Sequence, residues 1–363
     1  MQVIHAESVS DALSQALFHI NNTGIKEKSR VGDVLVFPAP VTTVYHNPRN
    51  RVLWSPMRDA NPFFHLFESL WMLMGRNDLA FPLKFNSRFG SYSDDGKTIW
   101  GAYGWRWREF FGYDQLNIIV EELKQNPASR RCVLAMWNAM PTFGERDHHS
   151  GEFLDGESDR LSDLSMAMSG GKDVPCNTHV YFDCRGGALN MTVCNRSNDM
   201  LWGCYGANAV HFSILQEYMA ARIGVPVGQY RQMSNNLHLY TDIVQIDGIL
   251  ALADDVRRTD RYQLSHVGVP QKPLVDVPLV DWHHDLDRFV RQDGIPNPHG
   301  WRSPFFAETA VPMWLAHDAW REKRYEDAED EANRIVGWEW RTACIEWLDR
   351  RAAKRAAKEK TND

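Results

Sequence analysis

DVPCNTHVYFDCRGGALNMTVCNRSND, residues 173–199, decides how this chain is read. Two runs of strand character, HVYFDCR and ALNMTVCNR, flank Gly186-Gly187, and a glycine pair between such runs predicts a hairpin. Cys176 follows a proline at the mouth of the first strand. The default for such a thiol is packing in the core. The alternative is a nucleophile, which needs nearby positive charge to lower its pKa. NRSND (195–199) puts an arginine at the end of the second strand. SRR (129–131) puts two more before a further predicted strand, RCVLAMWN (131–138). Arginines at strand ends either grip a phosphate through forked hydrogen bonds or stand as solvated loop charge, and spacing alone leaves both readings open.

Outward from this stretch, the pattern turns helical. PFFHLFESLWMLMG (62–75) has helical apolar spacing and ends on Gly75 as a C-cap. It carries Glu68 on an apolar face, where a carboxylate is costly unless it is paired, functional or solvated at the helix edge. LNIIVEELKQNP (116–127) is an amphipathic helix stopped by Pro127. GANAVHFSILQEYMAARIG (206–224) is long and largely apolar, so it is expected at the centre of the fold. Its Asn208 either caps the helix or offers an amide able to read the adjacent N–H and C=O of a uracil ring. LHLYTDIVQIDGILAL (237–252) continues as strand, then helix. His238 and Tyr240 alternate on one face of that strand, to reach one ligand or to pack in the core.

The chain has 363 residues, 44% of them hydrophobic, enough for one large domain or a domain with an appendage. No run approaches the ~20 apolar residues of a membrane span. MQVIHAESVSDALSQALFHI lacks the basic-then-apolar pattern of a signal peptide, so the expected location is the cytoplasm. The six cysteines form no CxxC pair, which points to reduced thiols and away from zinc or any other metal. A net charge of −7 argues against a broad nucleic-acid footprint, and no direct DNA binding is expected. No internal repeat is present. Residues 141–172 are polar and glycine-rich and are expected to form a surface insertion. Past about residue 255 the pattern becomes that of a helical extension, residues 255–350, with a charged and frayed tail over 351–363. The fold class read from these patterns is α+β.

Several weak motifs occur in a telling order: SRR before a strand ending in WN, PC before a strand, an RS-x-D turn, an asparagine on the next helix, and HLY. Over residues 28–250 this set resembles thymidylate synthase and its relatives, the pyrimidine nucleotide hydroxymethylases of phages and some antibiotic pathways. The resemblance implies a thymidylate-synthase-like three-layer fold over residues 1–254, with a mixed sheet packed at the interface of a homodimer. It implies methylenetetrahydrofolate as co-substrate and a pyrimidine nucleoside monophosphate as acceptor. Cys176 would attack C6 of the base. Arg130 and Arg131 would reach the phosphate of the other subunit, while Arg196 and Ser197 would hold it within the subunit. Asn208 would read the base, and His238 and Tyr240 the sugar 3′-hydroxyl. Asp199 would lie near the folate. Glu68, in FESLW, matches the glutamate that organises water and proton transfer, Tyr103 the tyrosine of GAYGWRW, and Arg30 an N-terminal phosphate arginine. Thiolate addition at C6 makes C5 nucleophilic, so that it can take up the one-carbon unit. Hydride then yields a methyl product and water a hydroxymethyl product.

Four departures bear on that choice. Asn177 follows the cysteine where synthases usually have histidine, so the resemblance implies a catalytic place for it beside Glu68, Tyr103 and Asp199, and CNTH is closer to the phage hydroxymethylases. NRSND begins with asparagine where synthases usually have glutamine. The tryptophan-rich folate loop is replaced by KFNSRFGSYSDDG (84–96), with Phe89 or a neighbour at the key position. The short apolar C-terminus that closes over folate gives way to the helical extension. Asn208, with one extra residue before it, suits uracil. The preferred reading is hydroxymethylation of deoxyuridylate, in a host cytoplasm if the chain is phage-encoded. Thymidylate synthase comes second and a cytidylate or deoxycytidylate hydroxymethylase third. An idle family member that binds nucleotide or RNA as a regulator is the alternative from another class, and the intact set of Cys176, Arg196 and Asn208 speaks against it.

Overall fold

The computed structural model describes residues 1–139, 162–264, 271–292 and 296–362. Its larger sheet runs β1 (Gln2–Ala6), β4 (Val41–Tyr45), β9 (Val227–Ser234), β7 (Leu189–Asn195), β6 (Asn177–Asp183) and β5 (Val133–Ala135). The pairs β1–β4 and β7–β9 are parallel and the other three antiparallel, so the sheet is mixed and the class is α+β. The expected hairpin joins β6 and β7. Gly186 and Gly187 turn it with φ of +74° and +78°, a backbone that side chains resist. The strand predicted over 131–138 shortens to three residues. At this sheet edge Gln115 takes the place of a neighbouring strand: its amide receives the Ala135 N–H and donates to the Ala135 carbonyl.

A smaller sheet runs β2 (Ile25–Lys28), β3 (Asp33–Val36), β10 (Leu237–Tyr240) and β8 (Asn198–Asp199). It brings the HLY and RS-x-D motifs together, with His238 beside Asp199 in register.

One face of the larger sheet is covered by the central helix, Asn208–Ile223, which is buried from Asn208 through Ala220. Against that helix packs Pro62–Leu73, which carries Glu68. Asn61 caps its start by accepting the Phe64 N–H, Pro62 sets its first turn, and Gly75 follows its end at φ +72°. Eleven of its twelve residues are buried, the pattern of a helix apolar all round and hence interior. The opposite face of the sheet is open: Val3, Val133 and Tyr181 are 44%, 45% and 45% exposed.

Three expectations about domain limits need correction. A boundary at 254 would cut the helix Ile249–Arg258, which packs on the first helix, Val9–Thr23. Buried hydrogen bonds from Ser8 to Asp260 and from Ser55 to Asp255 bind the next residues to the core as well. The extension that follows shares its apolar core with the Glu68 helix. Phe63 meets Trp347 at 5.3 Å, and Phe67 meets Phe289 at 5.4 Å and Trp314 at 5.8 Å.

The tail expected to fray over 351–363 continues the helix Trp338–Asn362. Arg350, Arg351 and Lys354 all hold the Asp59 carboxylate, at 2.8, 2.8 and 2.7 Å. These partners tie the first turns of the tail to the core. The third correction concerns the surface insertion of 141–172. Residues 140–161 lie outside those described, but Asp163 is fully buried and binds the equally buried Arg106 guanidinium by two parallel hydrogen bonds of 2.8 and 2.7 Å. Asp163 therefore anchors that stretch in the core, while Leu164 and Met168 beyond it are exposed as expected of a surface segment.

Candidate active site

Cys176 sits just ahead of β6, on a segment that Arg196 clamps. The Arg196 backbone N–H donates to the Cys176 carbonyl at 2.9 Å. Its side chain donates Nε to the Pro175 carbonyl (3.0 Å) and Nη2 to the Val174 carbonyl (2.9 Å). Burial pushes the Cys176 thiol above its ordinary range; Arg196 opposes this, and Asp173 and Asp199 add to it. The lowered pKa expected from nearby arginine is thus outweighed by desolvation in the ligand-free protein. The Tyr103 hydroxyl faces the Asn177 backbone N–H, next to Cys176. Asn177 itself is a correction. Its side chain is wholly buried and donates to the Cys194 carbonyl at 2.9 Å, so it braces the bulged start of β6 rather than facing a ligand.

Asp199 accepts the Trp202 N–H and starts a π-helical stretch, Met200–Ala207, that leads into the central helix. A π turn holds one residue more than an α turn. This stretch immediately precedes Asn208, which reaches the cleft wall. Asn208 does not cap the helix. Its Nδ2 donates to Asn198 Oδ1 at 3.1 Å, and Asn198 in turn donates to Ser234. That chain fixes the orientation of the Asn208 amide. Burial shifts Asp199 upward and His238 downward, each toward its neutral form. His238 also bonds Asn236 at 2.9 Å and meets the Tyr240 ring edge-on at 5.2 Å. Arg30 lies exposed on the turn beside Tyr240. Ser197 is partly exposed next to Arg196. Arg130 and Arg131 are exposed, and their side chains bond no described residue.

Beside this wall opens a cleft of about 180 Å³. Trp71, Phe89 and Ile99 give it flat apolar surface, while Glu68, Tyr92, Asp173 and His211 make it polar. Glu68 Oε2 lies 3.1 Å from His211 Nε2, though the ring is not aligned for a hydrogen bond.

Residues 15–273 match the thymidylate synthase family. The chain belongs to that family. A deoxyuridylate hydroxymethyltransferase of Pseudomonas phage M6 is 42% identical over 361 residues, covering 97% of this chain and 95% of the relative. The enzyme of the same name from Bacillus phage SP01 is 36% identical over 246 residues, 63% of this chain and 57% of its own. A putative thymidylate synthase of Methanothermobacter marburgensis is 32% identical over 157 residues, 43% of this chain and 57% of its own. The M6 match takes in the helical extension, which the thymidylate synthase match leaves out.

As a thymidylate synthase family member the chain is a one-carbon transferase, and three of its cleft groups and one residue behind them escaped the sequence reading. His211 follows Asn208 by three residues, which places both on one helix face, a legible signal. Asp173 stands three residues before the cysteine in the quoted stretch. Tyr92 lies in the replaced folate loop. Arg58 had no sequence signal. It is buried, donates Nε to the Leu201 carbonyl at 3.1 Å and stacks on Trp202 at 4.6 Å, so it holds the π-helical stretch in place.

Proposed function

We propose that this chain is a deoxyuridylate hydroxymethyltransferase, which takes a one-carbon unit from methylenetetrahydrofolate and leaves a hydroxymethyl group at C5. The observation that carries the reading is the polar half of the cleft: Glu68, Tyr92, Asp173 and His211 surround the space where a one-carbon unit reaches the base. Hydride transfer to that carbon calls for a dry site, and water capture calls for polar groups that hold water. Trp71, Phe89 and Ile99 fit the flat face of a pterin.

Cys176 adds to C6, which makes C5 enolate-like, and C5 bonds to the methylene. Glu68 and Tyr103 serve the loss of the C5 proton, and Asp199 lies on the folate side. Departure of tetrahydrofolate leaves an exocyclic methylene, which water converts to the hydroxymethyl group. Arg30, Arg196 and Ser197 face the phosphate, and His238 and Tyr240 the sugar. Asn208 offers uracil both an N–H and a carbonyl oxygen. Incubation with methylenetetrahydrofolate and either deoxyuridylate or deoxycytidylate, followed by mass spectrometry, tests the reading, with Cys176→Ala as control. Hydroxymethyldeoxyuridylate with tetrahydrofolate is expected. Thymidylate with dihydrofolate would overturn it.

The enzyme works as a homodimer in this reading, in the host cytoplasm for a phage enzyme. The open sheet face with Val3, Val133 and Tyr181 supports a second copy packing there. Arg130 and Arg131, whose side chains bond none of the described residues, would complete the partner's phosphate site. Sedimentation velocity tests the dimer. Mixing Arg130→Ala with Cys176→Ala chains tests the shared site, because one of the two sites in each mixed dimer regains both groups.

A further inference from the structure

The segment leading to Cys176 is gripped along its whole length. Lys172 donates its backbone N–H to the Asp94 carboxylate at 3.2 Å and its Nζ to the Ser93 carbonyl at 2.9 Å. Asp173 Oδ2 accepts the Gly101 N–H at 2.8 Å. Arg196 holds the carbonyls of Val174 and Pro175. A side chain at position 101 would come within 2.9 Å of Asp173 Oδ2, so the absence of one lets the carboxylate close on the backbone there. Asp173 is thus fixed in the cleft wall with Glu68, Tyr92 and Tyr103, three residues before the nucleophile. Its second oxygen, Oδ1, bonds no described residue. A carboxylate so held has one oxygen for its own anchoring and one for a ligand or water.

We propose that Asp173 is the general base that activates the water attacking the exocyclic methylene, and so is the residue that commits this enzyme to a hydroxymethyl product. The inference rests on the hydroxymethyl reading above. In the step, the water oxygen bonds to the methylene carbon while one water proton passes to Asp173 Oδ1. The methylene π electrons move to C5 and on to O4 as an enolate. The enolate collapses, re-forms C4=O and the C5=C6 double bond, and expels the Cys176 thiolate. The proton on Asp173 leaves to solvent. No electrons are exchanged with an outside donor.

Glu68 is less suited to this choice. It matches a glutamate that the resemblance assigns to methyl- and hydroxymethyl-forming relatives alike, and a group common to both outcomes does not select one. Burial raises the Asp173 carboxyl to about 6; the Gly101 N–H and Arg106 oppose this, and Asp94 and Glu68 add to it. A base works best with a pKa near the working pH. Cys176, Tyr92 and Tyr103 are the other titratable groups whose charge interacts with this carboxyl.

The test compares two readouts in Asp173→Asn and the unaltered enzyme, both with methylenetetrahydrofolate. Release of tritium from [5-³H]deoxyuridylate reports every step up to loss of the C5 proton. Hydroxymethyldeoxyuridylate reports water capture. In a single turnover with enzyme in excess, we expect the rate of hydroxymethyl formation to fall at least about 100-fold, with the rate of tritium release falling several-fold at most. Added 2-mercaptoethanol, a stronger nucleophile than water, should then trap the methylene as a thioether in the variant. A loss of both readouts in equal measure would overturn the proposal, since Asp173 would then only place Cys176. Unchanged hydroxymethyl formation would overturn it while sparing the function above. Thymidylate from the unaltered enzyme would remove both.

Discussion

Around Cys176 and Asn208, the polar side chains are mostly engaged within the protein. Arg196 is tied to two carbonyls, Asn208 to Asn198, and His238 to Asn236. Elsewhere in the cleft lining the engagement stops. Glu68 and His211 approach without aligned hydrogen bonds, Asp173 leaves one oxygen over, and Tyr92 is half-exposed. Unmade hydrogen bonds are costly in a closed interior, so a wall that keeps them open is arranged for a ligand or water. In the proposed function the engaged wall would orient a substrate before it arrives, and the open wall would decide what reaches the carbon afterwards.

The strongest blow to this contrast falls on the nucleophile. Cys176→Ala should abolish both tritium release and product, a loss of about 10⁴-fold or more, and leave the melting temperature nearly unchanged. Residual turnover near the starting rate would mean that the engaged wall acts without covalent attack. Asn208→Asp sharpens the contrast next. The new carboxylate would face Asn198 Oδ1, so the Asn198 amide must flip, and Ser234 must reverse from acceptor to donor. The ratio of kcat/KM for deoxycytidylate over deoxyuridylate should rise by roughly 10²-fold or more, because a site built on hydrogen bonds rejects the wrong pattern strongly. An unchanged ratio would show that the engaged wall does not read the base.

Asp173→Asn probes the open wall through stability. The raised carboxyl means that the folded protein binds more protons than the unfolded chain. Its stabilising contribution is full below the ordinary range near 4 and is lost as pH rises through about 6. At pH 8 the neutral amide escapes the penalty of a desolvated carboxylate, and the variant should gain on the order of 1–2 kcal/mol. The gain should vanish near pH 4. Urea titrations at the two pH values measure it, and a variant less stable at pH 8 would show that the Gly101 hydrogen bond outweighs burial.

The smallest effect lies behind the engaged wall, where Asp59 adjoins Arg58. Burial pushes the Asp59 carboxyl up, but hydrogen bonds from Arg351, Lys354 and Arg350 outweigh it and hold it down at about 2. That contribution is present above the ordinary carboxylate range and is lost as pH falls through about 2. Asn tolerates the left-handed backbone found at this position (φ +49°), so Asp59→Asn isolates the charge. It should cost about 1 kcal/mol at neutral pH, less at high salt. Equal stability at low and high salt would show that the extension docks through its apolar face alone.

Much of the engaged wall was legible because its residues recur in short motifs on strands and helices with clear periodicity. Cys176, Arg196, Asn208, His238 and Tyr240 all lie where HVYFDCR, NRSND, the central helix and HLY put them. Asn177 was misread because strand alternation alone does not tell which neighbour of a nucleophile turns inward at a bulge. The open wall was harder to read. Its members come from four separate places in the chain, Glu68, Tyr92, Asp173 and His211, and no local pattern links them. The limits of the extension were missed for a related reason: apolar periodicity shows that a helix has a buried face but not which element covers it.

The sequence by itself determined the family, the α+β class, the place of Cys176 at the mouth of a strand and the central helix, because these depend on local backbone preference and on motifs read in order. Only the tertiary structure decided that the C-terminal helices share the core of the Glu68 helix, that a π-helical stretch leads into Asn208, and that Asp173 stands in the cleft with one oxygen unbonded among the described residues. Each of these depends on contacts between residues far apart in the chain, and desolvation and hydrogen-bond satisfaction are set only once those residues have met.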